Sequence, residues 1–450
     1  MRACPHITAG RAPLILALLL AFLPPAAPAR AGGDDAAPAP LRERAFAALW
    51  SEDTPAAITL FRAYLATPAG AADREAQRGL ALAFSWDGRQ GEAMALYRSL
   101  LATDRGDGDS RIGLGRAQLW DNRLRDGWHT LRDASVDSTS ATADGARDVM
   151  LTALDEYAPP LALTATGTWD SDDLHVSRVA LASATNCGGS LFQVMPAHTW
   201  YRQPGQPEAT ALRLGAGLVG GLGARTTLHA YGWLDRFASA GDLPATGAPL
   251  DWFQVGCDTW LTWLPAARWR VDLGAGSQPV ETYVALGNHL VRRQGSLSVE
   301  HRFAGHWSAG VAGVSGDYTD HNRSDRVTVR LDWRRDGRWR WQVGPVANYL
   351  DFRVPYPGGY WAPADVRSAG LEASVRTRGR SVTLKLSGSL AQEKEAGAAA
   401  LTVGGASARV GWRLSRDWLL AIEGGKSQSS FGSASGYRRT SLGVDVRAFF

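Results

Sequence analysis

Apolar and polar side chains alternate in short runs from residue 161 to the end of the chain. The run 327–334 reads Val-Thr-Val-Arg-Leu-Asp-Trp-Arg, and the runs 269–273 and 382–387 follow the same rule. A period of two places apolar and polar side chains on opposite faces of a β-strand. These runs predict an antiparallel sheet of about 16 strands, and roughly 12 to 18 are compatible with the uncertain boundaries.

The spacing of apolar residues changes to three and four between residues 41 and 156, which predicts helices. Trp50, Trp86 and Trp120 recur at intervals of 36 and 34 residues in similar local settings. A period near 34 residues with a helix–turn–helix unit resembles tetratricopeptide repeats. We therefore predict about two to three short repeats. The alternative is an ordinary small helical domain with these tryptophans in its core.

Both ends of the chain carry patterns typical of exported proteins. An apolar core at residues 14–23 follows basic residues and precedes a small-x-small site, so we predict a signal peptide over residues 1–31 and a linker over 32–40. At the other end, apolar side chains occupy every second position up to the last residue, Phe450. A terminal aromatic on an alternating strand resembles the closing strand, and the barrel-assembly signal, of bacterial outer-membrane barrels.

Together the patterns predict an α+β multidomain chain. A short periplasmic helical region with tetratricopeptide-like repeats (41–156) precedes a C-terminal antiparallel transmembrane β-barrel (161–450). The mean hydropathy of −0.18 suits a barrel, because only every second strand residue faces lipid. Of the 18 tryptophans, 14 follow residue 161. Several lie near predicted strand ends, where an aromatic girdle meets the membrane surface: Trp252, Trp263, Trp269, Trp307, Trp333, Trp339 and Trp418.

Charged side chains fall on the strand face opposite the apolar one, so a barrel places them in its lumen. The predicted lumen charges are Arg213, Arg270, Asp272, Glu300, Arg302, Arg330, Asp332, Arg334, Glu372, Arg376, Lys385, Arg409, Arg413, Asp445 and Arg447. A barrel of about 16 strands holds an aqueous lumen unless a loop fills it. Because most of these residues are basic, we expect a mildly electropositive lumen that favours anionic or hydroxyl-rich solutes. The alternative is that the charges pair and seal the lumen.

Other chemistry has little support in the sequence. Cys187 and Cys257 remain after signal removal, and an oxidising compartment permits a disulfide. Cys257 falls in mid-strand, which argues against the bridge without excluding it. No histidine or further cysteine lies at ligand spacing nearby, so we predict no metal, cofactor or thiol catalyst. The net charge of +4 gives no reason to expect nucleic acid.

The order of segments resembles a known class of exported proteins. A signal peptide, periplasmic repeats and a C-terminal barrel also occur in the export porins for cellulose and poly-N-acetylglucosamine and in the smaller YaiO-type outer-membrane proteins. Residues 86–101 resemble the YaiO-type repeats, and residues 356–363 (Tyr-Pro-Gly-Gly-Tyr-Trp-Ala-Pro) resemble a motif near the end of the cellulose-export barrel, with Ala362 in place of serine. The small number of repeats favours the YaiO type.

The resemblance implies a monomer in the outer membrane, with lipid and the barrel-assembly machinery as partners. It also implies a periplasmic partner for the helical region and, in an export role, a polysaccharide. Sugar rings stack on aromatic side chains, so Tyr356, Tyr360 and Trp361 are candidate glycan contacts on a long loop, which either folds inward or lies outside.

Three functional classes remain open: a conduit, a non-conducting scaffold or surface receptor, and an outer-membrane enzyme. His321 stands near Asp317, Asp320 and Ser324, which is the only acid–histidine–serine grouping that we single out. Triads are recognised by geometry, and the sequence has no Gly-x-Ser-x-Gly elbow. We therefore predict no catalytic residues and favour the conduit.

Overall fold

The computed structural model describes residues 40–136, 140–157, 159–187, 189–223, 225–266, 268–303, 306–335, 337, 339–379, 381–429 and 438–449. The predicted signal peptide (1–31), the linker up to residue 39 and the C-terminal Phe450 lie outside these residues, so they stay predictions.

Helices form the first part of the described chain. They are α1 (Leu41–Trp50), α2 (Thr54–Leu65), α3 (Arg74–Trp86), α4 (Gln90–Thr103), α5 (Gly108–Trp120), α6 (Leu124–Ala134) and α7 (Ser140–Glu156). Asp53, Asp73 and Asp107 precede α2, α3 and α5, and each side chain accepts the backbone N–H three residues on, at 3.2, 3.0 and 3.0 Å. This bond satisfies one of the free donors of the first helical turn and fixes where each helix begins.

The repeated tryptophans end alternate helices. Trp50, Trp86 and Trp120 are the last residues of α1, α3 and α5, and their exposed fractions are 65%, 37% and 38%. The alternative that places these indoles in a helical core is therefore wrong. The core of the helical region is instead built from small and apolar residues of successive helices, including Phe61, Met94 and Tyr97.

The rest of the described chain forms a closed barrel of sixteen antiparallel strands, each paired with the next and β1 with β16. The strands are β1 (Leu161–Asp170), β2 (His175–Cys187), β3 (Ser190–Arg202), β4 (Ala209–Gly223), β5 (Thr226–Leu243), β6 (Ala248–Trp263), β7 (Trp269–Pro279), β8 (Val291–Arg302), β9 (Trp307–Tyr318), β10 (Arg323–Arg335), β11 (Trp339–Phe352), β12 (Val366–Arg378), β13 (Val382–Lys394), β14 (Leu401–Arg413), β15 (Trp418–Gln428) and β16 (Arg438–Ala448). The predicted fold class and the predicted number of about 16 strands are confirmed.

The two ends of the barrel differ. The helix end carries the start of β1, the end of β16 and the connections after even-numbered strands, such as the one that follows Trp263. The loop end carries the connections after odd-numbered strands. Its long described connections are residues 280–290, which contain the short helix α8 (Tyr283–Gly287), and residues 353–365. None of the described helices has the length and apolar character of a membrane-crossing helix.

Alternation separates the two faces of the wall. Leu212 and Leu214 point outward with 60% and 63% exposure, whereas Arg213 between them points inward to Asp235 on β5. A continuous outward surface of exposed apolar side chains is what a lipid environment stabilises.

Most of the predicted girdle tryptophans lie at the ends of strands on this outward surface. Trp263, Trp307 and Trp339, for example, are 48%, 45% and 46% exposed at the helix end. Trp252 is a correction: it points into the lumen, where its ring stacks on Phe237 and His289 at 4.9 and 4.6 Å. It fills space beneath the loop that follows β7.

Candidate functional site in the barrel lumen

The predicted lumen charges all occupy inward-facing positions of their strands, by the same alternation that turns Arg213 inward. The Arg213 guanidinium donates two hydrogen bonds to Asp235, at 2.7 and 2.8 Å. The Asp235 side chain is 1% exposed, whereas the Arg213 side chain keeps 24% of its surface exposed to the lumen. Bidentate geometry is the strongest form of such a pair and leaves the arginine little charge to offer a solute.

Further lumen charges pair with neighbours on the same or a nearby strand. Arg334 lies 3.0 Å from Glu300, and Arg330 lies 3.6 Å from Glu372. Arg270 lies 2.8 Å from Asp272.

The same pairing is found next to the helix end of β16. Asp445 accepts from Arg409 at 2.9 Å and from Arg447 at 2.7 Å, and Glu423 lies 3.5 Å from Arg409. Carboxylates thus neutralise many of the arginines that the sequence assigns to an electropositive lumen. These pairs join residues of one strand, of adjacent strands or of strands two apart, so they lie along the wall and not across the lumen as a seal.

One side of the lumen has a different lining. Between their inward charges, strands β12 to β16 present small polar residues to the lumen, and the Ser387 and Ser407 hydroxyls lie 2.6 Å apart. A cavity of about 430 Å³ follows this wall. Its lining includes Ser374, Ser387, Ser389, Gly405, Ser407, Gly425, Ser427 and Ser441, together with the charged residues Asp332, Glu372, Lys426 and Arg439. Because these side chains are short, the wall leaves room for a solute and offers it hydroxyl donors and acceptors.

At the loop end, α8 folds into the lumen. Tyr283 and Leu286 pack against inward residues of β3 to β6, such as Phe237, and are 3% and 1% exposed. Ala285 packs on the other side of α8, against a cluster that includes Tyr318 and residues of β11 and β12. The short helix therefore bridges two separate parts of the wall.

Polar contacts hold α8 in place as well. Glu281, just before the helix, accepts from Arg178 on β2 at 2.6 Å and from Tyr201 on β3 at 3.2 Å. The Tyr283 hydroxyl donates to the backbone carbonyl of Tyr201. These contacts cross the lumen from the β7–β8 connection to strands far around the wall. The sequence gives no local sign of them, since 103 residues separate Arg178 from Glu281.

The loop with the candidate glycan contacts lies beside α8. Thr282 donates to the carbonyl of Gly359. Tyr360 is 8% exposed, stacks on Tyr318 at 5.1 Å and donates to Asp320 at 3.0 Å, and Trp361 packs against the same cluster. Tyr360 and Trp361 therefore support the loop that holds α8.

Tyr356 differs from its two neighbours on this loop. It is 54% exposed, and its hydroxyl donates to Glu395. The loop folds inward, and of the three candidates Tyr356 offers the most exposed ring to a solute.

The helical region covers part of the helix end. Trp128 of α6 is fully buried, its ring lies 4.7 Å from that of Phe449, and its indole N–H donates to Asp417 at 2.9 Å. Arg447 of β16 donates to the carbonyl of Leu154 in α7 at 3.2 Å. An apolar core shared by α5 to α7 and the barrel thus anchors the helical region, and its barrel side includes Leu419 and Phe449 as well as Leu191 of β3 and Val219 of β4.

A second set of contacts lies at the turns after β4, β6 and β8. Arg225 donates to Asp87, the residue after α3, at 2.6 Å. Arg268 donates to the carbonyl of Ser51, the residue after α1, at 3.1 Å, and Arg302 lies 3.9 Å from Glu52.

A cavity of about 490 Å³ remains between the helical region and the lumen. It is lined by Trp120 and Asn122 from the helical region and by residues of the barrel that include His229, Thr262, Arg268, Trp269, Arg270, Glu300, Arg302 and Arg334. The helical region therefore borders the lumen without filling it at this point.

The structure does not arrange the candidate residues for a disulfide or for a catalytic triad. Cys257 is a free thiol on the outward face of β6, so it forms no bridge with Cys187. The Ser324 hydroxyl lies 3.4 Å from that of Tyr318, and Asp320 accepts from Tyr360, so both groups take part in loop packing. Among the residues that the structure describes, no cluster of three or more acidic, histidine or cysteine side chains is arranged to hold a metal ion.

Comparison with known proteins shows similarity in the barrel. A bacterial polysaccharide outer membrane secretin superposes with a TM-score of 0.50 at 9% sequence identity, covering 64% of this chain and 98% of that one. CdiB from Acinetobacter baumannii (TM-score 0.39, 9% identity) is matched over 64% of this chain and 60% of that one. OccK11 (OpdR) from Pseudomonas aeruginosa (TM-score 0.35, 12% identity) is matched over 64% and 95%. At these identities the likeness concerns the fold alone. No family model and no curated protein matches the sequence.

Proposed function

We propose that this protein is an outer-membrane conduit for a neutral, hydroxyl-rich polymer, in the manner of exopolysaccharide export. In this proposal the outward apolar surface lies in lipid, and the barrel reaches the membrane through the barrel-assembly machinery. The helix end faces the periplasm and the loop end faces the outside. The structure with the similar barrel is that of a bacterial polysaccharide outer membrane secretin, which agrees with this class of cargo.

The serine and glycine wall of β12 to β16 is the observation that carries the proposal. Water hydrogen-bonds the hydroxyls of a sugar chain, and a pore that takes up the chain must replace those bonds. Paired serines such as Ser387 and Ser407 supply donors and acceptors without charge. Several nearby arginines are engaged by carboxylates, as Arg409 is by Asp445 and Arg330 by Glu372, so we expect the lumen to select only weakly for an anion.

Single-channel recording of the full mature chain in a planar bilayer tests the proposal. We expect conductance through the wild-type barrel, and partial block when a gluco-oligosaccharide is added to the bath. Ser407→Trp places a large ring in the cavity and lowers the conductance. Ala408→Trp is the matched control, because residue 408 is next to 407 and faces outward. Equal conductance of the two variants contradicts a path along this wall.

A non-conducting scaffold is the second candidate, and the covers at both ends of the lumen favour it. Its helical region then serves to dock a periplasmic protein, as the YaiO-type resemblance implies. Closed traces from a folded barrel support the scaffold if they persist after α8 is removed. Light scattering of the detergent-solubilised chain checks the expected monomer in either case.

A further inference from the structure

The three repeated tryptophans need an explanation beyond folding. Trp50, Trp86 and Trp120 each end a helix, and each keeps more than a third of its surface exposed. The rings of Trp50 and Trp86 lie 5.9 Å apart in an edge-to-face arrangement, so they form a continuous aromatic surface. Exposed apolar surface of this kind is unfavourable in water and commonly marks a binding site.

Their position places them at the opening of the lumen. The residues that directly follow Trp50 and Trp86 are the ones that contact Arg268 and Arg225 on the barrel turns. Trp120 itself lines the cavity between the helical region and the lumen. The row of three tryptophans, which we call the tryptophan row, therefore follows the rim of the helix end.

The surroundings combine flat apolar rings with groups that bind hydroxyls. Asn122, Glu300 and Arg302 line the same cavity as Trp120, and they offer amide, carboxylate and guanidinium partners. A β-linked hexose chain presents apolar faces for stacking on indole and equatorial hydroxyls at its edges. Lipid tails, by contrast, do not tolerate such charges beside them.

We propose that the tryptophan row binds a β-linked polysaccharide chain at the helix end, before the chain passes into the lumen. This inference rests on the proposed conduit and names the site where its cargo is first held. The repeat spacing gives the site its form, because one ring is presented per helical pair. A longer oligosaccharide therefore contacts more rings and binds more tightly.

The test measures binding of cellohexaose and of chitohexaose to the full mature chain in detergent, by calorimetry. In the variant Trp50→Leu/Trp86→Leu/Trp120→Leu the side chains stay apolar but cannot stack. We expect its Kd for the hexasaccharide that binds wild type to rise by about tenfold or more. The corresponding triple phenylalanine variant keeps flat rings and recovers much of the affinity. Trp339→Leu, on the outward face, is the control and leaves the Kd unchanged.

Three results overturn the inference. One is that neither hexasaccharide binds the wild-type chain. Another is that the triple leucine variant binds as tightly as wild type. The third is that the triple leucine variant keeps its saccharide affinity but loses binding to vesicles of phosphatidylethanolamine and phosphatidylglycerol, which assigns the row to the membrane surface.

The recording and the calorimetry separate this inference from the conduit. If the barrel conducts but the triple leucine variant binds saccharide as tightly as wild type, the inference about the tryptophan row is contradicted and the conduit is retained. If the barrel stays closed even after α8 is removed, while the triple leucine variant loses saccharide affinity, the conduit is contradicted and the saccharide site is retained. Heat-modifiable gel mobility is used to confirm that each variant is folded before either result is interpreted.

Discussion

The lumen is covered at both ends, and the two covers are built differently. At the loop end, α8 belongs to the barrel's own β7–β8 connection and is wedged between two apolar clusters on opposite parts of the wall. At the helix end, the cover is a separate helical region with one apolar anchor, which extends from β15 and β16 to β3 and β4. Elsewhere, polar contacts such as Arg225 to Asp87 join it to the turns.

This difference indicates how each cover can move. Removing α8 from the lumen exposes buried side chains on both of its sides, so the loop end opens only at a large cost in free energy. The helical region can lift its polar side while the apolar anchor holds, because partly exposed ion pairs contribute only about 0–1 kcal/mol each. We therefore expect the helix end to open more readily than the loop end.

The largest effect should follow from removing the cover at the loop end. Replacing residues 281–289 with a short Gly-Ser linker deletes α8 and its contacts to Arg178 and Tyr201. We expect a severalfold rise in single-channel conductance, since the short helix occupies the space between two parts of the wall. Shortening the β13–β14 connection at residues 396–399 is the control. Unchanged conductance after both deletions would show that α8 does not limit the path.

The apolar anchor is the next most sensitive point. Trp128→Ala removes a fully buried ring that contacts Phe449 and the hydrogen bond to Asp417. Truncations of this kind cost about 3–5 kcal/mol. We expect faster amide hydrogen exchange in α6 and α7 with unchanged exchange in the strands. Trp412→Ala, on the outward face of β14, should leave α6 unaffected. A variant whose helices stay fully protected would locate the anchor elsewhere.

A substitution at Asp107 tests the folding stability of the helical region itself, as distinct from its docking on the barrel. Burial raises the pKa of this carboxyl, but hydrogen bonds from the Ser110 backbone and from Arg74 outweigh burial and lower the pKa to about 2. Its folded pKa lies below the unfolded one, so its contribution is complete above about pH 4 and is lost as the pH falls toward 2.

We therefore expect Asp107→Asn to destabilise the helical region by about 2 kcal/mol at neutral pH, with the difference from wild type shrinking as the pH falls below about 4 and lost once the pH has fallen through 2. Helical circular dichroism during denaturation measures it. Asp53→Asn is the control, because Asp53 caps α2 with a single bond and asparagine caps equally well. A loss that does not depend on pH would contradict the role of the charge.

The strands could be predicted from the sequence where their outward-facing side chains are large and apolar. The run 269–273 alternates clearly, but β7 continues to Pro279 through Gly-Ala-Gly-Ser-Gln, where no large apolar residue faces outward. The run 382–387 likewise belongs to a strand that continues to Lys394. Leu390 is the one large outward side chain in that continuation, at 63% exposure. Alternation therefore finds the part of a strand with closely spaced apolar side chains and misses the extension toward the loop end, where few of them occur.

The site was less accessible to sequence reasoning. The period of two predicts which face of the strand each charged side chain occupies. It does not predict the ion-pair partner, because that depends on the register between strands. Asp235 was missed because Arg236 directly follows it. When two adjacent residues are both charged, alternation does not show which of them faces the lumen. Helix α8 spans only Tyr283–Gly287, which is too short to show a helical period.

The smallest expected effect concerns the polar side of the helix-end cover. Asp87→Asn removes the charge that Arg225 contacts at 2.6 Å, with side-chain exposures of 11% and 37% for the two partners. Because Arg225 is partly exposed, the loss should be about 1 kcal/mol or less and should shrink as salt screens the pair. A double-mutant cycle with Arg225→Gln, read by amide exchange at the end of α3 in low and high salt, measures it.

Arg62→Gln and Glu92→Gln form the control pair for that cycle, since their 3.6 Å contact lies within the helical region. Removing it should leave the exchange of the barrel turn at residues 223–226 unchanged. If the Asp87–Arg225 coupling instead equals the cost of Trp128→Ala, the helical region is held equally on both sides. It then cannot open as a hinge, and a polymer must reach the lumen through the cavity beside Trp120 while the cover stays closed.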